Sequence, residues 1–112
     1  MTSKSSITTK KPKYLPLITP GEILKEEFME PLGLSANMLA IKLKVPANRI
    51  SEIINGRRAI SANTALRLSR YFGNSAEFWM NLQTNYDLDR EKRESLDVIQ
   101  GSVEPQTMTV RH

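Results

Sequence analysis

The segment from Pro46 to Ile54 carries small and hydrogen-bonding side chains along one face. At a helical spacing of about 3.6 residues, Ile50, Ile53 and Ile54 fall on one side and point inward. The outward side then carries Ala47, Asn48, Arg49, Ser51 and Glu52. Amide, guanidinium, hydroxyl and carboxylate groups are the ones that pair with base edges in the DNA major groove, which admits an α-helix. This pattern predicts a helix that reads DNA bases.

A second short helix precedes this segment and is expected to hold it in place. Leu39, Ala40 and Leu43 give the earlier helix a narrow apolar face, so both helices dock inward. The stretch from Leu39 to Arg58 therefore predicts a helix-turn-helix.

Particular residues mark the turn between the two helices and the end of the second helix. The turn needs a left-handed residue, for which Gly is the usual choice, but this chain offers Lys44 at a strain of about 1 kcal/mol. Asn55 and Gly56 end the second helix in the expected way. Arg57 and Arg58 emerge from that end, so we expect cations beside the reading helix.

Charge is sorted along the chain, whose formal net charge is +4. From residue 42 to residue 70 the one acid is Glu52. The basic residues of that segment are Lys42, Lys44, Arg49, Arg57, Arg58, Arg67 and Arg70. Such a segment is typical of a phosphate-binding face. Residues 1–18 contain four lysines and no acid, and we expect a disordered basic arm that either touches phosphates or is a solvated tail.

The N-terminal helix is expected to begin near Pro20 and to stop before Pro31. Its outer face is acidic, which would repel phosphate and keep this helix away from DNA. Ser35 can cap the next helix, and with Asn37 it lies where that helix start would meet the DNA backbone. Capping alone and capping with a phosphate contact both remain open for Ser35.

Two further helices are predicted after the helix-turn-helix. Ser61 caps the fourth and Gly73 closes it, while Arg67 and Arg70 on this helix either reach DNA or form surface pairs. Ser75 opens a fifth helix that continues to about Gly101. Its large side chains complete the core or form a symmetric dimer interface, for which the candidates are Phe78, Trp79, Leu82 and Tyr86. We favour a mixture of the two roles, with Leu82 and Tyr86 nearer the interface.

Composition limits the class of protein. A chain of 112 residues holds one domain, and a core built from only about 75 to 80 residues is marginal, so a homodimer is expected. No cysteine is present, the one histidine is His112, and no phosphate loop, metal-ligand spacing or paired acids appear. We therefore expect no enzyme activity, no cofactor and no metal. No apolar run is long enough for a membrane span, so a cytoplasmic protein without membrane contact is expected.

The stretch from Ile18 to Leu88 resembles the HigA antitoxins, also called VapI-type proteins, of the lambda-repressor-like (XRE) helix-turn-helix class. The resemblance is carried by TPGEILKEEFMEPLGLS, VPANRISEIINGRRAISANTALRLSRYFGNS and AEFWMNLQTNYDL. It implies an all-α fold, a compact five-helix DNA-binding domain with a C-terminal helical extension. The expected organisation is a disordered arm over 1–18, a DNA-binding and dimerisation domain over 19–100, and a flexible tail over 101–112.

The same resemblance implies an antitoxin that binds and neutralises a HigB-like mRNA endonuclease toxin. It also implies a homodimer that binds double-stranded DNA at an operator in its own promoter and represses its own operon. Because a dimer carries two reading helices about 34 Å apart, a palindromic operator is expected. Residues 47–49, 51 and 52 would face bases or nearby phosphates, and Asn55, Arg57 and Arg58 would face the backbone. Lys44 departs from the family, where Gly is frequent, and could add a phosphate contact. Two other functions stay open: a stand-alone transcriptional regulator without a toxin, and a protein-interaction adaptor.

Overall fold

The structure, a computed structural model, describes residues 15–107. Within that range it contains five helices and no strand. The basic arm predicted for the N-terminus falls mainly on residues 1–14, which lie outside the described residues. No helix in the described part is both long enough and apolar enough to cross a membrane.

The first helix, α1, begins at the predicted residue and is fixed there by a capping box. The hydroxyl of Thr19 accepts a hydrogen bond from the Glu22 backbone N–H at 3.1 Å. The Glu22 carboxylate in turn accepts one from the Thr19 backbone N–H at 2.9 Å. Two of the N–H groups that a helix start leaves unpaired are thereby satisfied.

The predicted stop before Pro31 is wrong. Helix α1 is continuous over Pro20–Ile23, a wider π-helical part Leu24–Met29 and a tight 3₁₀ turn Glu30–Leu32. Pro31 stands in the first turn of the 3₁₀ part, where its missing N–H costs little. The helix ends instead at Gly33, whose φ of 65° lets Leu34 N–H donate to the Met29 carbonyl at 2.9 Å.

Helices α2, Ala36–Leu43, and α3, Ala47–Ile54, form the predicted helix-turn-helix. Ser35 caps α2 by accepting a hydrogen bond from Met38 N–H at 3.1 Å. The predicted left-handed residue is confirmed, because Lys44 has φ 62° and ψ 44°. It is the one non-glycine residue between 15 and 107 with a positive φ.

Helices α4, Ala62–Phe72, and α5, Ala76–Ser102, complete the domain. Their predicted caps are present: Ser61 accepts from Thr64 N–H, Ser75 accepts from Phe78 N–H, and Gly73 closes α4 with φ 82°. Helix α5 ends one residue after the predicted position. The following residues 103–107 have no regular structure, and the rest of the predicted tail lies outside the described residues.

The core sits where the five helices meet, and its centre is aromatic. Trp79 has 0% of its surface exposed and lies 4.8 Å from the Phe28 ring centre, while its indole N–H donates to Asn74 at 2.8 Å. The largest fully buried aliphatic side chains are Leu24, Leu39, Ile50, Ile53, Ile60 and Leu68. The proposal that Trp79 lies in a dimer interface is therefore corrected, because its ring has no surface left for a second subunit.

Candidate nucleic-acid interface

The backbone fixes the position of helix α3 at both of its ends, by a left-handed turn at the start and a close backbone contact at the end. At its start, the left-handed Lys44 turns the chain out of α2. At its end, the first turn of α1 lies against the backbone: a Cβ atom added to Gly21 would sit 1.9 Å from the Ile53 carbonyl oxygen. No side chain fits at position 21, so glycine is required there for α3 to pack this closely on α1.

The outward face of α3 matches the face predicted from periodicity. Ile50 and Ile53 are buried, Ala47 and Asn48 are exposed, and Arg49 is half-buried. Among residues 15–107 the Asn48 amide and the Arg49 guanidinium have no hydrogen-bond partner in the protein. Both groups are therefore available to hydrogen-bond a partner outside the protein. Ser51 is less free, because its hydroxyl donates to the Asn48 carbonyl at 3.2 Å within the helix.

Glu52 is paired rather than free. Its carboxylate accepts a hydrogen bond from Arg58 Nε at 2.8 Å, and the two side chains are 36% and 45% exposed, respectively. The pair neutralises the one acid of the basic segment and orients the guanidinium. Sequence analysis predicted both residues but not their contact, which depends on the turn at Gly56, where φ is 76° and Arg57 N–H donates to the Glu52 carbonyl at 2.8 Å.

The loop that follows α3 is anchored by a residue that sequence analysis missed. Gln83 on α5 is 7% exposed, and its side-chain oxygen accepts a hydrogen bond from the buried Ile60 N–H at 2.7 Å. Its amide nitrogen donates to Asp87 at 2.9 Å. This glutamine therefore links α5 to the loop that carries Asn55, Arg57 and Arg58. Its spacing of four residues from Trp79, on the inner face of the helix, is a signal that could have found it.

The start of α2 presents the two other residues predicted at the backbone. Ser35 and Asn37 are exposed, at the end of α2 where helix N–H groups point outward. The capping role of Ser35 uses its oxygen as an acceptor, which leaves its O–H free to donate to a phosphate. Capping and phosphate contact are thus compatible at this position.

Arg67 has a structural contact that neither alternative for it anticipated. Its Nη1 donates to the Leu43 carbonyl at 2.9 Å, and its Nε donates to Asn63 at 2.8 Å. The guanidinium therefore caps the C-terminal end of α2, just before the strained Lys44. Arg70, one turn further along α4, is exposed.

Known proteins match both the sequence and this geometry. A helix-turn-helix family model covers residues 25–79. Virulence-associated protein I of Dichelobacter nodosus is 51% identical over 87 residues, which are 76% of this chain and 81% of that protein. Antitoxin HigA-1 of Vibrio cholerae is 41% identical over 71 residues, 63% of this chain and 67% of the relative.

A solved structure agrees with the fold at similar identity. The Pseudomonas aeruginosa antitoxin HigA with the higBA promoter is 43% identical, covers 80% of this chain and 98% of its own, and superposes with a TM-score of 0.78. The predicted resemblance and the predicted all-α, five-helix fold are thereby confirmed. Two of these relatives are antitoxins by name, in agreement with the prediction that the chain is not an enzyme.

Proposed function

This chain belongs to the helix-turn-helix family that includes virulence-associated protein I and antitoxin HigA, and from that premise we propose that it represses its own operon and neutralises a toxin. The observation that carries the first half is the outward face of α3. There Asn48 and Arg49 are free to bond, on a helix flanked by cations. The relative solved with the higBA promoter supports the same assignment.

We divide the DNA contacts between bases and backbone. In the proposed complex Ala47, Asn48, Arg49 and Ser51 face base edges, with Asn48 suited to adenine and Arg49 to guanine. The backbone contacts would come from Ser35, Asn37, Lys44, Asn55, Arg57 and Arg58. Glu52 stays part of the surface, but it would act by holding Arg58 rather than by touching a base.

The operator-binding form is proposed to be a homodimer built on α5. Phe78, Leu82 and Tyr86 each retain exposed surface on this helix, unlike Trp79. Tyr86 also borders a cleft shared with Arg57 and Arg58, so an α5 interface would lie beside the backbone-binding loop. Two reading helices about 34 Å apart would then require a near-palindromic operator with half-sites one turn apart.

The proposed toxin is a HigB-like mRNA endonuclease, and toxin binding needs a test that does not depend on DNA binding. The test is to express the tagged protein together with its native neighbouring genes and purify it through a high-salt wash that strips DNA. A small neighbour-encoded protein recovered in stoichiometric amount, whose toxicity is relieved by co-expression, is the expected result. A protein recovered alone, with promoter binding intact, would instead identify a stand-alone transcriptional regulator.

A further inference from the structure

A groove with a volume of about 610 Å³ lies between the C-terminal end of α2 and the outer side of α4. We call it the cationic groove, and it is lined by Lys42, Leu43, Lys44, Asn63, Leu66, Arg67, Arg70 and Tyr71. Four of the eight residues are cations and none is an acid. Cations gathered in one groove repel each other, and an anion bound among them would relieve that repulsion.

Three of the four cations in this groove make no hydrogen bond or ion pair with the described part of the protein. Only Arg67 is engaged, through Leu43 and Asn63. Lys42, Lys44 and Arg70 are exposed and make no ion pair with any residue from 15 to 107. The groove therefore offers three unpaired cations to an anionic partner that carries several charges.

The length of α2 indicates that DNA could be this anionic partner. Eight residues at about 1.5 Å each make α2 about 12 Å long, which is also about the width of the DNA major groove. If Ser35 lies at one backbone strand, a helix of this length would bring its opposite end within reach of a second row of phosphates. Lys44 lies at that end, three residues before α3 enters the groove.

In the proposed dimer this groove would lie on the outside. The loop at the C-terminal end of α3 is tied to α5 through Gln83, which borders the same cleft as Tyr86 of the proposed interface. The N-terminal end of α3 and the cationic groove would therefore face away from the dimer axis, toward DNA beyond the half-site.

We propose that the cationic groove binds phosphates of the DNA that flanks each half-site. The protein would then contact DNA beyond the base pairs that α3 reads. This inference rests on the proposed operator binding and adds an adjoining surface to it, with Lys44 common to both. An acidic protein surface is the other chemistry that the groove could take. Its continuity with α3 through Lys44 favours DNA.

The test uses a Lys42→Ala, Arg70→Ala double variant of the full chain. Arg67 and Lys44 are left unchanged, because one caps α2 and the other holds the strained turn. The matched control is Lys25→Ala with Lys92→Ala, which removes the same charge from exposed positions on α1 and α5. Binding is measured against salt on two promoter duplexes, one ending at the outer edges of the half-sites and one extended by about half a helical turn, ~5 base pairs, on each side.

On the extended duplex, two lost phosphate contacts should flatten the slope of log K against log salt by about 1.8 per protomer. Over an approximately fourfold rise in salt, the parent should lose about twelvefold more affinity per protomer than the double variant. On the short duplex the parent and the double variant should have the same affinity and salt slope. The control variant should match the parent on both duplexes.

The inference would be overturned if the double variant behaved like the parent on the extended duplex, or if it lost the same affinity on both duplexes. A parent that binds neither duplex would instead refute the proposed operator binding. Loss of toxin capture by the double variant, with unchanged DNA binding, would reassign the groove to an acidic protein surface.

Discussion

Lys44 shows how one residue can be costly for folding and still suit the surface it lies on. Its left-handed conformation strains any side chain that has a Cβ, at about 1 kcal/mol. Glycine would remove the strain but also the charge beside α3. The sequence predicted this conformation because the helix-turn-helix pattern leaves one position for the turn, and Lys44 occupies it.

Replacing Lys44→Gly should therefore raise the free energy of unfolding, by up to about 1 kcal/mol, since part of the relieved strain is offset by the greater freedom of glycine in the unfolded chain. Urea unfolding followed by circular dichroism measures this. Lys42→Gly is the matched control, because the same change inside α2 should destabilise the protein by about 1 kcal/mol. A loss of stability at position 44 like that at position 42 would contradict the assigned strain.

At the scale of the element, local signals predicted the helix starts well. Thr19, Ser35, Ser61 and Ser75 each accept a hydrogen bond from an N–H three residues on, so a short stretch of sequence is enough to locate the cap. The end of α1 was missed because a π-helical part shifts the register before Pro31. The contacts of Gln83 and Arg67 were missed because they join residues 23 and 24 positions apart, which no local pattern reports.

The link between α5 and the loop after α3 makes a prediction at this scale. Gln83→Leu removes the acceptor for the buried Ile60 N–H. We therefore expect the free energy of unfolding to fall by about 1 to 3 kcal/mol. Because the loop carries Arg57 and Arg58, promoter affinity should fall and its salt dependence should flatten, while the preference for promoter over random DNA persists. Gln100→Leu, at an exposed position on α5, is the control. Unchanged salt dependence in a folded Gln83 variant would show that the loop needs no such anchor.

At the scale of the molecule, the described domain leaves much apolar surface on α5. Leu88, Leu96 and Ile99 are exposed on its second half, beyond the part that packs on the core. The sequence predicted that large side chains on this helix serve either the core or an interface. Burial assigns Trp79 to the core and leaves Phe78, Leu82 and Tyr86 for the proposed interface. This division depends on the tertiary packing of Phe28 and Phe72 against Trp79.

A charge at the proposed interface should dissociate the dimer. Tyr86→Glu should give a monomer in sedimentation and weaker promoter binding, because it removes the ring from the interface and requires a carboxylate to be desolvated against a second subunit. Thr84→Glu adds the same charge on the opposite, exposed side of α5 and should leave the dimer intact. A dimer that survives Tyr86→Glu would place the interface elsewhere.

The most direct test of the whole account measures promoter and random DNA binding, across a range of salt, for the parent, Asn48→Ala and Arg57→Ala. We expect Asn48→Ala to cost about 1 to 3 kcal/mol on the promoter and to leave random DNA unaffected, since it removes a base contact. Arg57→Ala should weaken both DNAs alike and flatten the salt slope by about 0.9 per protomer, since it removes a phosphate contact. If both variants bound both DNAs as the parent does, α3 and its loop would not be the DNA-binding surface.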